Sequence, residues 1–245
     1  MTAFGAPVAE ALVAGVATRP GDTVLDLAAG TGDVTEALAQ NGVDVISTDI
    51  SPVMVEAARR RAVPGVEHRV MDMQAIDLPD SSVDGVVSRY GYMLVADPAL
   101  ALRETRRVLR PGGRLAFATW APANRNPWAT AYGPVLIERG LLEPPKPGEP
   151  GQFSLGEPER IDGLVRTAGF DDVAVTEVPV MFRAESWAEY RRIVSSLAAS
   201  MREVLERLDD KARAEVDEKA KARIELYRSG EGYDLPGVSL VTTAS

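Results

Sequence analysis

The sequence predicts an α/β fold in which helices cover both faces of a mostly parallel sheet. Between Val24 and Thr119, short apolar runs rich in β-branched residues alternate with stretches of helical periodicity, as they do in successive βαβ units. Each apolar run is nearly continuous, which is typical of strands covered on both faces. A glycine-rich turn directly follows the first run. In open sheets such a turn lies at the carboxyl edge, where ligands bind.

Local signals set the boundaries of the elements in this region. Pro20-Gly21 and Pro111-Gly112-Gly113 are turn signals that lead into the first and fifth strands, and Ser51-Pro52 starts the second helix. The strands are predicted at Thr23–Leu27, Val43–Thr48, Val66–Met71, Val83–Ser88 and Arg114–Thr119, and the helices between them at Val34–Gln40, Pro52–Arg61 and Pro98–Leu109.

The pattern changes after Trp120. The segment from Pro122 to Pro158 contains eight prolines and no clear period, which indicates a long ordered insertion. From Trp187 to Leu208, apolar residues recur at three- and four-residue steps, which predicts an amphipathic helix. The remaining predicted elements are helices at Trp128–Arg139, Pro158–Ala168 and Asp210–Tyr227 and strands at Val173–Met181 and Gly237–Thr243.

Composition excludes several classes of function. The 245 residues include 36 acidic and 27 basic ones, for a net charge of -9, so the chain would repel the phosphate backbone of a nucleic acid. Cysteine is absent, which excludes disulfides and thiolate metal sites and favours a cytoplasmic location. Met1 to Val16 has no basic n-region, and no run reaches the ~18 apolar residues of a membrane span. We expect no nucleic-acid partner, no membrane anchor and no metal.

The most informative segment is the first strand with its turn, Val24 to Asp33, which reads Val-Leu-Asp-Leu-Ala-Ala-Gly-Thr-Gly-Asp. Small residues in the turn let a ligand approach the backbone closely. A dinucleotide fingerprint needs Gly-x-Gly-x-x-Gly, but Thr35 stands where the third glycine belongs. The Gly-Lys-Ser/Thr of a phosphate loop is also absent. The segment therefore disfavours a nicotinamide or flavin dinucleotide and a common phosphate loop.

Acidic residues stand at the ends of the predicted strands. Asp26 and Asp33 flank the turn, Asp49 ends strand two and Asp72 ends strand three. Asp49 lies 19 residues after Gly30, close to the ~20-residue offset at which an acid accepts hydrogen bonds from ribose hydroxyls. Each aspartate alone could be a helix cap or a turn residue. The set of four suits a ligand that carries positive charge and hydroxyl groups.

These residues resemble the motifs of class I S-adenosylmethionine-dependent methyltransferases, and within them the ubiquinone/menaquinone C-methyltransferase-like group. The resemblance covers about Pro20 to Ala121, with five motifs in the family order and spacing, and Ala28 stands where many members have glycine. The motifs are Val-Leu-Asp-Leu-Ala-Ala-Gly-Thr-Gly-Asp at 24–33, Thr-Asp-Ile-Ser at 48–51, Met-Asp-Met at 71–73, Leu-Pro-Asp-Ser-Ser-Val-Asp at 78–84 and Arg-Arg-Val-Leu-Arg-Pro-Gly-Gly-Arg-Leu at 106–115. The resemblance implies a Rossmann-like class I fold, with a seven-stranded, mostly parallel sheet and an antiparallel last strand.

The resemblance also implies S-adenosyl-L-methionine as the cofactor. The loop after strand one would lie beside its methionine moiety, with Asp26 receiving the amino group. Asp49 would hold the ribose hydroxyls, Asp72 would accept from the adenine amino group, and Ile50 would pack against the adenine. The implied cofactor contacts are Asp26, Ala28, Gly30, Thr31, Gly32, Asp49, Ile50, Asp72, Met73, Ser88 and Arg89.

On the substrate side, the resemblance places the end of strand four next to the reactive methyl, and we predict catalytic roles for Arg89, Tyr90 and Tyr92. A mostly aromatic pocket with a few polar groups is typical of sites for small organic molecules. Ordinary core packing is the alternative for Trp128 and Tyr132. The predicted substrate contacts are Tyr90, Tyr92, Met93, Trp120, Asn126 and Trp128.

The general base is left open by the sequence. His68, the only histidine, lies inside predicted strand three, away from the expected edge, which favours a structural role. Arginine cannot act as a base at neutral pH. A tyrosine, a carboxylate or no base at all remain possible, the last if the substrate arrives as an enolate, a phenolate or a free amine.

The sequence divides into a core at 1–181 plus 237–245 and a helical insertion at 182–236. The insertion would cap the pocket, which we prefer, or pair with a second subunit, so the protein would be a monomer or a homodimer. The predicted function is transfer of a methyl group to a small organic molecule by in-line displacement. Two alternatives stay open: a non-methylating reaction such as cyclisation with the same cofactor, and a non-catalytic cofactor-binding interaction protein.

Overall fold

The computed structural model describes residues 4–146, 148–197 and 199–245. The strands are β1 (Thr23–Leu27), β2 (Asp44–Asp49), β3 (Val66–Val70), β4 (Val83–Arg89), β5 (Leu109–Trp120), β6 (Ala174–Ala184), β7 (Arg228–Ser229) and β8 (Gly232–Ala244). The helices are α1 (Ala6–Val16), α2 (Asp33–Ala39), α3 (Pro52–Arg59), α4 (Pro98–Val108), α5 (Gly133–Glu138), α6 (Pro158–Thr167), α7 (Trp187–Leu197), α8 (Ala199–Arg207) and α9 (Asp210–Ile224).

The strands of the described chain form one sheet in the order β3-β2-β1-β4-β5-β8-β6, and the short β7 pairs with β8. Strands β1 to β5 are parallel, whereas β8 runs antiparallel to β5. The predicted class I α/β fold and its antiparallel last strand are confirmed. The strand order reverses between β1 and β4, and open sheets bind ligands at the carboxyl ends of strands at such a point.

The central strands are buried on both faces. Leu25 in β1, Val86 in β4 and Phe117 in β5 are almost wholly inaccessible, and burying a side chain of this size contributes about 1.5–3 kcal/mol. This two-sided burial explains why the strands read as continuous apolar runs. From β1 to β5, every predicted boundary except the start of β5 lies within two residues of the observed one.

Helix α1 forms where the sequence predicts no element. Pro7 interrupts the apolar pattern, but it falls in the first turn, where a helix does not need the missing N–H. Val8 and Leu12, four residues apart, are buried, and the helix packs against β4 and β5. Pro7 therefore starts this helix and does not break it.

Strand β5 begins five residues before its predicted start. The Pro111-Gly112-Gly113 segment reads as a turn, but it lies within β5. Val83 and Gly85 of β4 pair with Leu109 and Arg114 of β5, so an irregularity in the register absorbs the extra residues. Gly112 has a φ of 80° there, which glycine adopts without steric cost. The turn residues thus form a bulge inside a strand.

The apolar run from Trp187 to Leu208 predicts one helix, but the structure has two, α7 and α8, which pack against each other. Because the two helices pack against each other, Val194 of α7 and Leu205 of α8 are both buried. A single straight helix would place these two residues too far apart to pack against each other. Residues 1–3, 147 and 198, which fall within the predicted N-terminal stretch, the proline-rich insertion and this helix, lie outside the described residues.

The chain divides into two compact units. The core unit comprises residues 1–121, 148–178 and 239–245, and the helical unit comprises residues 122–147 and 179–238. The sequence groups 122–147 with the core, whereas in the structure this segment clusters with α7, α8 and α9. No helix in the described ranges combines the length and the apolar character that a membrane crossing requires.

The helical unit has an aromatic core of its own. Trp128 stacks on Phe182 with ring centroids 5.8 Å apart, and Trp187 stacks on Tyr190 at 5.4 Å. The Tyr190 hydroxyl donates to the Trp128 carbonyl at 2.8 Å, so the buried hydroxyl is satisfied. Because Trp128 supplies both a ring and a carbonyl to this core, the segment 122–147 is part of what folds the helical unit.

Candidate active site

The loop between β1 and α2 exposes its backbone. Ala28, Gly30 and Gly32 have φ values of 55°, 57° and 87°, in the left-handed region that glycine tolerates best. Ala28 is strained there, and such strain concentrates at functional sites. A side chain at Gly30 would meet no atom within 4 Å. The loop therefore offers bare backbone to open space, as a ligand that approaches the main chain requires.

Asp26 is a buried carboxylate at the end of β1. It is 1% exposed, and its Oδ2 accepts a hydrogen bond from the Thr35 hydroxyl at 2.6 Å. Its Oδ1 is buried and has no hydrogen-bond partner within the described ranges. Burial raises the pKa of Asp26 to about 7, against the lowering effects of the Thr35 hydrogen bond and the Arg89 charge. A cationic group brought to Oδ1 would ionise and satisfy this carboxyl group.

Thr35 is a site residue whose role the sequence does not reveal directly. It occupies the third-glycine position of the dinucleotide pattern, and this departure is the only sequence signal. In the structure its hydroxyl lies in the first turn of α2, 2.6 Å from Asp26 and 3.1 Å from the Ser47 hydroxyl. A glycine at this position would remove the hydroxyl donor from the buried Asp26 carboxyl group and leave it only the backbone N–H of residue 35.

Asp49 and Asp72 end the neighbouring strands as predicted. Asp49 accepts from the backbone N–H of Gly30 at 3.0 Å and from that of Ser51 at 2.9 Å, so it ties the loop after β1 to the end of β2. Asp72 follows β3, and its Oδ1 accepts from the backbone of Gln74 at 2.8 Å. An ionised carboxylate has about four lone-pair sites. Each acid therefore keeps capacity for a ligand's hydroxyl or amino group.

Apolar side chains accompany these acids. Ile50 follows Asp49 and is 67% exposed, although it is a large aliphatic residue. Met73 follows Asp72 and is buried. Thr31 in the loop after β1 is exposed. An exposed isoleucine next to two carboxylates suits a planar apolar group that carries polar edges, such as a purine base.

Strand β4 ends beside the same loop. Ser88 is fully buried, and its hydroxyl has no partner in the part of the chain that the structure describes. A Cβ at Gly91 would lie 2.5 Å from the Ser88 hydroxyl and 2.8 Å from the Ala28 Cβ. Only glycine fits at position 91, so the segment after β4 packs closely on the loop after β1.

Arg89, the last residue of β4, belongs to an ion-pair chain. Its Nη2 lies 3.1 Å from Asp33 Oδ2, and Asp33 Oδ1 lies 2.7 Å from Arg61 Nη1. Arg61 also pairs with Glu36. Burial alone would raise the pKa of Asp33, but the hydrogen bonds from Arg61 and Arg89 hold it below its usual range. The sequence identifies Arg89 as a site residue but does not connect it with Asp33.

Tyr90 has a φ of 67°, a strained conformation for a residue with a side chain. Its ring stacks on Trp120 with centroids 4.3 Å apart, and Trp120 stacks on Phe4 at 5.5 Å. This stacking helps to compensate for the strain and forms an aromatic wall in the core unit. Burial raises the pKa of Tyr90 well above its ordinary value, so its hydroxyl stays protonated near neutral pH.

Tyr92 points into the core. It is 1% exposed, and its hydroxyl lies 2.5 Å from the Thr105 hydroxyl on α4. Its ring packs against Phe117 of β5, and burial raises its pKa far above the ordinary value. Met93 beside it is also buried. The structure thus gives Tyr92 a packing role, and we remove it from the catalytic and substrate-binding residues proposed below.

Asn126 and Trp128 lie in the helical unit. The buried Asn126 side chain accepts from the Val238 N–H at 3.0 Å and from the Trp128 indole at 3.0 Å, and its amide donates to the Val238 carbonyl at 3.2 Å. Trp128 stacks on Phe182. Both side chains are committed to the fold of this unit, so we also remove them from the proposed substrate contacts.

His68 lies within β3, where it pairs with Ser47 of β2. This places it two residues before the end of the strand, away from the carboxyl edge. Burial lowers its pKa. Its position agrees with the structural role that the sequence favours. Among the described residues, no three histidine or acidic side chains are grouped so that they could hold a metal ion.

Residues 25–117 match the family model described as "Methyltransferase domain". A demethylmenaquinone methyltransferase of Renibacterium salmoninarum is 36% identical over 126 residues, which are 51% of this chain and 53% of that protein. The chain thus spans about half the length of the curated relatives it matches.

Two solved structures share the fold. The Haemonchus contortus phosphoethanolamine N-methyltransferase 2 in complex with S-adenosyl-L-methionine aligns with 97% of this chain and 52% of its own, at 17% identity and a TM-score of 0.60. The 4+2 cyclase SpnF aligns with 97% of this chain and 79% of its own, at 20% identity and a TM-score of 0.58. The same fold therefore supports different reactions, as superfolds do.

The chain has the class I S-adenosylmethionine-dependent methyltransferase fold, and its segment 25–117 matches a methyltransferase domain. Within that class it is similar to the demethylmenaquinone methyltransferases.

Proposed function

We propose that this chain transfers a methyl group from S-adenosyl-L-methionine to a small organic molecule. The observation that supports this most strongly is the carboxyl edge of β1, β2 and β3. Open loop backbone and three carboxylates meet there, and one buried carboxylate oxygen, Asp26 Oδ1, has no partner among the described residues. The cofactor carries a sulfonium, an ammonium, two ribose hydroxyls and an adenine amino group, all of which suit carboxylates.

The residues present fit the cofactor from end to end. Asp26 would pair with the ammonium group, and Asp49 would accept from the ribose hydroxyls. Asp72 would accept from the adenine amino group, with Ile50 and Met73 against the base. The remaining proposed contacts are Ala28, Gly30, Thr31, Gly32, Ser88 and Arg89.

When bound, the cofactor supplies an activated methyl group on a positively charged sulfur. The chain's own contribution is to orient the reactants and exclude water, which can supply much of the rate of a displacement. Tyr90 and Trp120 would form an apolar wall for the acceptor. The buried tyrosines stay protonated near neutral pH, so we propose an acceptor that arrives as an enolate, a phenolate or a free amine.

Release of S-adenosylhomocysteine, measured across a panel of small phenols, enols and amines, tests the reaction. Methyl transfer predicts acceptor-dependent release together with a product that is heavier by one methyl group. An acceptor that is converted without consuming the cofactor would favour the cyclisation alternative. Calorimetry that shows NAD binding, but neither S-adenosylmethionine nor S-adenosylhomocysteine binding, would refute the cofactor assignment.

Asp49→Ala tests the ribose site. A hydrogen bond to a charged group contributes about 1.5–3 kcal/mol, and ~1.4 kcal/mol is a factor of ten in affinity. We expect S-adenosylhomocysteine to bind about tenfold more weakly or worse, measured by calorimetry. Asp49→Asn keeps an acceptor for only one of the Gly30 and Ser51 N–H groups, which Asp49 binds with separate oxygens, and it should also bind more weakly. The control is Asp44→Ala, an exposed residue at the opposite end of β2, which should bind like wild type. Wild-type affinity in both folded Asp49 variants would contradict the ribose assignment.

A further inference from the structure

Arg89 lies between two acids that face the loop after β1. Its Nη2 is 3.1 Å from Asp33 Oδ2, and its charge partly opposes the rise in the pKa of Asp26 that burial causes. The Arg89 side chain is 20% exposed. A partly buried guanidinium therefore lies at the point where β4 ends beside the first loop.

Asp33 holds this guanidinium from one side only. Asp33 is the first residue of α2, and its other oxygen accepts from Arg61 at 2.7 Å. Arg61 is itself held by Glu36 and by the Thr31 carbonyl. A guanidinium presents five N–H donors in a rigid fork, and the Asp33 contact involves a donor on Nη2. Asp33 thus fixes the direction of the fork and leaves donor capacity on Arg89.

Arg61 is already held by Asp33, Glu36 and the Thr31 carbonyl. Apart from Arg61 and Arg89, the charged residues at this edge are acidic: Asp26, Asp33, Asp49 and Asp72. Such an edge attracts the cationic groups of the cofactor but repels its carboxylate. An α-amino acid end needs an anion for its ammonium and a cation for its carboxylate. Asp26 supplies the first, and Arg89, at the end of the neighbouring strand β4, is placed to supply the second.

We propose that Arg89 binds the carboxylate at the methionine end of the cofactor and that Asp33 is the positioning residue that holds its guanidinium there. This rests on the proposed function and deepens it. Arg89 then keeps the cofactor-binding role that the sequence predicts and not the catalytic role predicted beside it. Arg89 and Asp33 then contribute to cofactor affinity only through the amino acid end of the cofactor and not through its nucleoside.

The test compares two probes, S-adenosylhomocysteine and methylthioadenosine, which keeps the nucleoside but lacks the amino and carboxylate groups. Arg89→Met should weaken S-adenosylhomocysteine binding by about tenfold or more, because a charge-assisted pair is lost. Methylthioadenosine affinity should change by less than about twofold, since this probe has no carboxylate to pair with arginine. Calorimetry measures both affinities, and the melting temperatures of the free variants report on the fold.

The matched control is Arg110→Met. Arg110 pairs with Asp84 at 2.5 Å, near the opposite end of β4, and its loss should change neither affinity. Asp33→Asn should weaken S-adenosylhomocysteine alone by about threefold, as loss of orientation costs less than loss of the charge. This effect should disappear in the Arg89→Met background, because neighbours that act through one contact are not additive.

The outcomes separate the two proposals. If wild-type protein binds neither probe, the proposed function fails. If it binds both, and Arg89→Met weakens both equally or neither, the carboxylate assignment is wrong. The last comparison uses the affinity for S-adenosylhomocysteine divided by that for methylthioadenosine. If Asp33→Asn leaves this ratio unchanged, or lowers it equally in the wild-type and Arg89→Met backgrounds, Asp33 is not the positioning residue.

Discussion

Burial outweighs a hydrogen bond from a neighbouring hydroxyl at the most buried acid in the site. Thr35 donates to Asp26 at 2.6 Å, yet burial still raises the pKa of Asp26 to about 7. An aspartate in an unfolded chain titrates near about 4. The free protein thus holds a proton on Asp26 in mildly acidic solution, and it carries a buried charge with one unpartnered oxygen at higher pH. A cationic ligand bound at Asp26, as proposed above, would therefore release a proton on binding.

Asp26→Asn tests this coupling through stability. Between about pH 4 and 7 the native state keeps a proton that the unfolded chain has lost, so this group's contribution to the free energy of unfolding falls as the pH rises. The asparagine variant does not titrate there. Its melting temperature relative to wild type should therefore be higher at pH 8 than at pH 5.

The exposed control, Asp44→Asn, should show the same difference from wild type at both pH values. In wild type, the stabilisation of the protein by S-adenosylhomocysteine should be larger at pH 8 than at pH 5, because the cofactor's ammonium needs an ionised Asp26. If the difference in melting temperature between Asp26→Asn and wild type does not vary with pH, the pKa of Asp26 is not raised in the native state.

At the scale of elements, side-chain hydrogen bonds connect segments that are distant in the chain, and the sequence pattern does not predict these bonds. Asn126 lies in a proline-rich stretch without periodicity, yet it binds both backbone groups of Val238, 112 residues later. It also accepts from the Trp128 indole. Asn126 thus connects the segment after β5 to the middle of β8, and its polar side chain has a structural use.

Asn126→Ala should destabilise the protein without affecting the cofactor site. The change removes the side-chain partner of two part-buried Val238 groups and of the buried Trp128 N–H. A fully buried group left unsatisfied costs about 1–3 kcal/mol, and a part-buried group costs less because water reaches it. Chemical denaturation should show a loss of about 2–4 kcal/mol, with S-adenosylhomocysteine affinity unchanged. Asn41→Ala, which removes an exposed bond to the Ala37 carbonyl, should cost little. Lost turnover of a verified acceptor at unchanged stability would instead return Asn126 to the substrate pocket.

At the scale of the whole molecule, the chain combines a core unit that has the methyltransferase fold with a helical unit that has its own aromatic core. Tyr132 and Arg139 directly precede and follow α5. Tyr132 donates to Asp217 and Arg139 pairs with Glu215, so both ends of α5 are bound to α9. These contacts lie within the helical unit, which is one of the two compact units of the chain. Whether it closes over the substrate or pairs with another subunit stays a prediction from the sequence.

Hydrogen exchange distinguishes these roles. A lid closes when both ligands are present, so amide exchange in α7, α8 and α9 should slow when S-adenosylhomocysteine and a verified acceptor bind together. Exchange in α6, which belongs to the core unit, serves as the internal control and should change less. Exchange in α7 to α9 that ignores both ligands but rises on dilution would support the dimer.

The sequence by itself determined the α/β class, the strand boundaries from β1 to β4 and the acids at the strand ends. Strands that are buried on both faces need apolar residues, and a loop that a ligand approaches closely needs small ones. Both requirements therefore appear as local patterns in the sequence. Only the tertiary structure decided that Tyr92 and Trp128 face packed cores, that Pro111-Gly112-Gly113 is a bulge inside β5, and that residues 122–147 cluster with the helical unit. It also revealed the Thr35–Asp26 and Asp33–Arg89 contacts. These features depend on which residues meet in the folded chain, nine positions apart for Asp26 and Thr35 and 56 for Asp33 and Arg89. Such contacts leave no regular period or composition in the sequence.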